Sequence, residues 1–228
     1  MYSKLANPQN YQEIKRKERD IKYIVIHYTG NDGDTARNNL DYFHENVVKA
    51  SAHFFVDEKE ICCSVPWYNI AWHCGTKNGY KHEECRNKNS IGIEICSRKN
   101  KNGEYYFDTQ AVRVAAEFTA QQIKNYGIPL GNVLRHYDVT GKLCPRPFID
   151  ETTWNDFKNL VWMFYQVKAG EKITYYEKLE DIPKGEKRDV VKKLINRGTI
   201  KGTTDGNLHL SDDMVRMMVF NNREGLYK

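Results

Sequence analysis

Two hydrophobic periods divide the chain. Tyr23-Ile24-Val25-Ile26-His27-Tyr28-Thr29 is a β-branched and aromatic run that turns polar at His27, the pattern of a buried strand ending at a cleft. Asn31-Asp32-Gly33-Asp34-Thr35 is rich in turn formers, and Thr35 is placed to cap a helix over 36–47 with Leu40, Phe43 and Val47 on one stripe. His53-Phe54-Phe55-Val56-Asp57 and Glu60-Ile61-Cys62-Cys63-Ser64-Val65 flank a short acidic turn and predict a hairpin. Ser90-Ile91-Gly92-Ile93-Glu94-Ile95-Cys96 alternates strictly, with the isoleucines on one face and Gly92, Glu94 and Cys96 on the other. Helical spacing of Val112, Ala115, Ala116, Thr119, Ile123 and Tyr126 predicts a helix over 109–126, ended by Gly127 and Pro129. Val133-Leu134-Arg135 reads as a short strand leading into a loop at His136, and a helix over 151–167 carries Trp154, Phe157, Val161 and Phe164. Strands mixed with helices in this way predict an α/β fold, a mixed central β-sheet flanked by helices.

The pattern becomes polar around 169–172, so the expected domains are 1–168 and a small, mostly helical C-terminal module over 169–228. In the module, residues 188–197 form an amphipathic stretch (Val190, Val191, Leu194, Ile195) closed by Gly198. A turn cluster spans 202–206, and Ser211 is placed to cap a helix carrying Met214, Val215, Met218 and Val219. A unit this small is marginal alone. It is therefore expected to dock or to oligomerise, with a homodimer as one outcome. Its methionine stripe suits a core better than a binding groove.

Composition narrows the classes. The chain has 228 residues, 40% hydrophobic and 29% charged, which is enough apolar material for a core. No apolar run approaches the roughly 20 residues needed to cross a bilayer, so membrane insertion is not expected. Residues 1–20 contain no apolar signal-peptide core, which predicts synthesis in a host cytoplasm and action elsewhere only after release. The net charge of +5 fits attraction to an anionic polymer such as an acidic cell wall, and it fits plain solubility equally. There is no Lys/Arg block and no nucleic-acid motif, so no nucleic-acid partner is expected. Six cysteines without a CxxC pair in a cytoplasmic product predict buried free thiols rather than a disulfide framework.

Candidate chemistry is densest in His136-Tyr-Asp-Val-Thr-Gly-Lys-Leu-Cys144-Pro. An imidazole and a thiolate eight positions apart suit Zn²⁺, and Lys142 would set a fixed cation beside the metal. A third ligand must come from elsewhere, and His27 at its strand end is the best candidate. Two His and one Cys leave the fourth tetrahedral position open, as in catalytic rather than structural zinc sites. Asp138 could orient a ligand histidine or simply cap the loop. His53 could face the cleft or sit in the core. Trp72 and His73 lie in a stretch suited to contacting glycan or peptide, and Trp72 suits a core equally. Thr29, directly after the His27 strand, is a candidate for lining the cleft.

The pieces IVIHYTG, SAHFFVD, IAWHCG, NSIGIEIC and RHYDVTGKLCP occur in an order familiar from one family. Residues 21–150 resemble the zinc-dependent N-acetylmuramoyl-L-alanine amidases, the type 2 amidase family, and the whole has the look of a phage endolysin for a Gram-positive, clostridial-type host. The resemblance implies one zinc per chain on His27, His136 and Cys144, with Glu94 as the catalytic acid/base and Lys142 stabilising the transition state. It implies a peptidoglycan substrate cut between N-acetylmuramic acid and L-alanine. Substrate contacts are then expected at Thr29, His53, Trp72 and His73, and a cell-wall polymer is a candidate ligand for the C-terminal module. Some relatives carry a catalytic tyrosine where this chain has Ala52, which shifts the acid/base role to Glu94. The alternative is a non-catalytic peptidoglycan receptor on the same fold. Such receptors usually lack the thiolate ligand that Cys144 offers here.

Overall fold

The runs at 23–28 and 90–95 become neighbouring strands near the centre of a six-stranded mixed sheet. In chain order its strands are β1 (Tyr2–Ser3), β2 (Tyr23–Tyr28), β3 (Phe54–Val56), β4 (Ile61–Cys63), β5 (Ser90–Ile95) and β6 (Val133–Arg135). They lie in the order β1-β4-β3-β5-β2-β6, and within this sheet only β3 and β4 are antiparallel. This computed structural model describes residues 1–166, 174–200, 207–208, 210–223 and 227. The chain divides into two compact units, Met1–Gln166 and Val167–Lys228. The polar stretch at 169–172 and the turn cluster at 202–206 lie outside the described residues.

Sheet register positions the chemistry. His27 on β2 pairs with Glu94 on β5, and Glu94 pairs with Phe55 on β3. Residues at one level of adjacent strands point to the same face, so His27, Glu94 and Phe55 stand together. On β6, Arg135 pairs with Ile26, so the chain reaches the level of His27 as it leaves the sheet at His136.

On this face lies α1 (Ala36–Glu45). Thr35 Oγ1 accepts the Asn38 amide at 3.1 Å while Asn38 Oδ1 accepts the Thr35 amide at 3.2 Å, a reciprocal cap. Ala36 and Leu40 pack with Ala52, Phe55, Cys62 and Cys96. The helix ends two residues before the expected 47, with Asn46 as its cap and Val47 exposed.

The opposite face carries Ile24, Ile26, Ile91, Ile93 and Ile95, all fully buried. Each contributes about 1.5–3 kcal/mol relative to exposure. Here α2 (Thr109–Tyr126) packs, with the Phe54 and Phe118 rings 4.7 Å apart. Asp108 caps its first turn by accepting the Gln110 amide at 2.8 Å, and Gly127 ends it at φ 62°, a left-handed conformation that a side chain would strain. Against α2 lies α4 (Glu151–Gln166), burying Trp154, Phe157, Val161 and Phe164 as the spacing requires.

Sequence reading puts a loop at His136, whereas the structure has a short helix there, α3 (His136–Thr140). Asp138 accepts the Arg135 amide at 2.8 Å and the Arg135 guanidinium at 2.7–3.1 Å, and Gly141 closes the turn at φ 83°. Asp138 is thus a cap and makes no bond to an imidazole.

The second unit contains α5 (Glu186–Asn196), α6 (Asp212–Arg223) and an antiparallel ribbon of β7 (Tyr175–Tyr176) with β8 (Leu210–Ser211). Ser211 Oγ accepts the Met214 amide at 3.1 Å, the expected cap. Met214 and Met218 pack against a core of Tyr176, Ile182, Val191, Leu210 and Val215, so these methionines fill the interior of their own unit.

Candidate metal centre

Strand β2 delivers His27, the start of α3 delivers His136, and the segment after α3 delivers Cys144. Their ligand atoms lie within 4.8 Å of one another, and the residues are only 1%, 4% and 3% exposed. Cys144 Sγ is 3.7 Å from His27 Nδ1. Two ligands on one tetrahedral zinc-sized ion would stand about 3.6 Å apart, given bonds of about 2.3 Å to sulfur and 2.0–2.1 Å to nitrogen. The His27 and His136 rings meet edge to face at 4.8 Å. Neither nitrogen of His136 has a hydrogen-bond partner, although both are shut off from solvent. Buried polar atoms seldom stay unpaired, and a metal ion would satisfy the one of the two that carries the lone pair.

Charge in the pocket agrees with that fit. Burial, then the neighbouring imidazoles, hold His27 well below the usual histidine range. Burial, then the Lys142 charge, pushes His136 down to about 3. Both rings therefore keep free lone pairs at neutral pH. Burial and the nearby Glu94 raise the Cys144 thiol to about 12, with the Tyr28 amide and Lys142 opposing. A bound dication reverses that preference and favours thiolate. Two imidazoles and a sulfur suit a borderline-soft divalent metal.

Glu94 stands one strand away from His27. Its Oε2 is buried and has no hydrogen-bond partner. Burial lifts the carboxyl to about 8, helped by Asp34 and opposed by Lys142. It opens onto a cavity of about 530 Å³ walled by Thr29, Asn31, Asp34, Asn38 and Tyr42. Lys142 is exposed two residues beyond the end of α3. Tyr137 donates its amide to the Cys144 carbonyl at 2.8 Å, and Cys144 donates its own to the Lys142 carbonyl at 2.7 Å.

The four expected substrate contacts separate. Thr29 lines the cavity with Glu94, its hydroxyl donating to Asp34 at 3.2 Å. Trp72 is half-buried. His53 is 0% exposed, accepts the Gly92 amide on Nδ1 at 3.0 Å and lies 3.3 Å from the Asn69 carbonyl through Nε2. Of the two readings left open for His53, its burial matches the core one. His73 is buried too, and its Nδ1 lies 3.0 Å from His27 Nε2. That contact escaped sequence reading, which assigned any orienting role to Asp138. The available signal was Gly92, since a glycine inside a strand marks a close approach.

Fold and cluster together define a class: an α/β domain with a candidate metal centre where its central strands end. The family profile described as N-acetylmuramoyl-L-alanine amidase matches residues 17–147, and the chain belongs to that family. The amidase CwlL of Bacillus licheniformis is 36% identical over 141 residues, covering 58% of this chain and 38% of that protein. A mutant endolysin from Bacillus subtilis superposes with a TM-score of 0.57 at 31% identity, over 70% of this chain and 97% of the other. The PlyG catalytic domain does so with a TM-score of 0.59 at 29% identity, over 75% and 98%. The chain thus spans about two fifths of the curated relatives' length but nearly all of the solved domains. No helix among the described residues is long and apolar enough to cross a membrane.

Proposed function

We propose that the protein is a wall-lytic endolysin that hydrolyses the amide between the lactyl group of N-acetylmuramic acid and the first L-alanine of the peptidoglycan stem peptide, with one zinc ion held by His27, His136 and Cys144. The observation that carries this reading is the register pairing His27 with Glu94 beside the converging His136 and Cys144 donors. When bound, zinc supplies Lewis acidity and lowers the pKa of water from 15.7 toward about 7. Glu94 takes the proton of the attacking water on its carboxylate and returns it to the leaving amide nitrogen. Lys142 steadies the oxyanion through its ammonium. Thr29 and Trp72 contact the substrate, Thr29 from within the cavity that Glu94 opens onto. The retained thiol of Cys144 and the unpartnered Glu94 oxygen favour catalysis over a receptor role.

Mass spectrometry of purified walls digested by the full chain tests the reading. Stem peptides with a free N-terminal L-alanine support it. New reducing sugar ends, or cuts inside the stem peptide, overturn it. For the second unit we propose a tether to a cell-wall polymer, which raises local concentration on an insoluble substrate. Truncation after Gln166 should then lower co-sedimentation with walls. Unchanged sedimentation with loss of a dimer by light scattering would assign the unit to self-association.

A further inference from the structure

Beyond the three donors, one unbroken chain of hydrogen bonds leads from His27 into the protein. His27 Nε2 lies 3.0 Å from His73 Nδ1, His73 Nε2 lies 3.1 Å from Ser90 Oγ, and Ser90 Oγ lies 2.7 Å from the Arg86 carbonyl oxygen. The direction of this chain is fixed at its far end. A carbonyl only accepts, and two oxygens this close need a proton between them, so Ser90 gives its single proton to Arg86. Ser90 must then accept from His73 Nε2–H. That leaves the lone pair of His73 on Nδ1, facing His27, and obliges His27 to carry its proton on Nε2. The free lone pair of His27 therefore sits on Nδ1, the atom 3.7 Å from Cys144 Sγ.

We infer that His73 and Ser90 are positioning residues that lock His27 in the tautomer and ring orientation needed for metal binding. The seat for His73 is built into the sheet. A Cβ at Gly92 would fall 2.5 Å from His73 Cγ, so only glycine lets the imidazole lie on β5. Asn87 Oδ1 accepts the amides of His73 and Cys74 at 3.2 and 2.8 Å, pinning the backbone that carries the ring. Partners of this kind set which nitrogen of a histidine is free to bind, and their loss commonly lowers metal affinity about 10–100-fold.

The inference rests on the reading of His27 as a metal ligand, and its test separates the two. Zinc affinity is measured for the full chain by competition with a chromophoric chelator, and histidine tautomers of the metal-free protein by nitrogen-15 NMR. His73→Leu should weaken zinc about 10–100-fold. His73→Gln should recover much of the loss, because the amide oxygen can accept from His27 Nε2–H. The metal-free wild type should show His27 and His73 each protonated on Nε2. Ser90→Ala, which removes one hydroxyl, serves if His73→Leu fails to fold. It should blur the His73 tautomer and weaken zinc several-fold. Wild-type affinity in His73→Leu or Ser90→Ala, or a His27 protonated on Nδ1, overturns the relay. Wild-type zinc binding by His27→Ala would instead sink the metal-site reading on which the relay stands.

Discussion

His27 and His136 face the same sulfur and are held in opposite ways. His27 is aimed by side chains, through His73 and Ser90 to a backbone carbonyl. His136 has no partner at either nitrogen and is aimed by backbone, as the first residue of a helix capped by Asp138. That cap is anchored in turn. Arg135 donates to the carbonyls of Phe148 and Ile149 at 3.1 Å and pairs with Asp138 and Glu151. One imidazole thus depends on hydrogen-bond polarity, and the other on where a helix begins. Lesions around the first should change metal affinity with little change in fold, whereas lesions around the second should disturb both.

The sharpest break is to remove a proposed ligand outright. His136→Ala or Cys144→Ser should abolish metal retention and cut wall hydrolysis at least about 10⁴-fold, read by metal analysis and turbidity clearing. Glu94→Gln should keep the metal and lower kcat about 10²–10⁴-fold, since it removes proton transfer and leaves both imidazoles in place. A Glu94→Gln protein without metal would show that the carboxylate belongs to the coordination shell. Lys142→Ala should cost about 10²–10³-fold in kcat with unchanged thermal stability, because the side chain is exposed.

Stability of the metal-free protein sharpens the contrast further. His136 stays neutral in the fold down to about pH 3, whereas an unfolded histidine binds its proton near 6.5. Its contribution is complete above 6.5 and is lost as pH falls toward 3. Glu94, raised to about 8 from the usual 4.5, works the other way, complete below 4.5 and lost as pH rises through 8. Urea unfolding of metal-free protein should therefore show greatest stability between about pH 4.5 and 6.5. His136→Ala should remove roughly 1–3 kcal/mol of the acid-side loss, and Glu94→Gln should flatten the alkaline side. The smallest expected effect is on the relay's seat. Gly92→Ala should cost about 1–3 kcal/mol and displace His73, lowering metal affinity without touching a ligand.

Much of this was legible beforehand because it is local. Period and the Gly127 stop mark Thr109–Tyr126, and strict alternation places Glu94 on the face opposite the isoleucines. Other features were hidden because they arise from contacts distant in sequence. His73 meets His27 across 46 residues, and its one signal, Gly92, lies on a different strand from His27. The α3 turn was hidden for another reason: its cap uses an aspartate whose partner, Arg135, reads in sequence as the last residue of a strand. The edge strand Tyr2–Ser3 is too short to carry a period.

Residues 136–144 also constrain how such a centre could diversify. Lys142 and Cys144 sit on one closed circuit that begins immediately after His136, sealed by the amide of Tyr137 on the carbonyl of Cys144. Lengthening or shortening that circuit should move the Lys142 ammonium and the Cys144 sulfur together relative to His136. Asn31, Asn38 and Tyr42, which line the cavity beside Glu94, lie outside that circuit, so substitutions there should leave the positions of Lys142 and Cys144 unchanged.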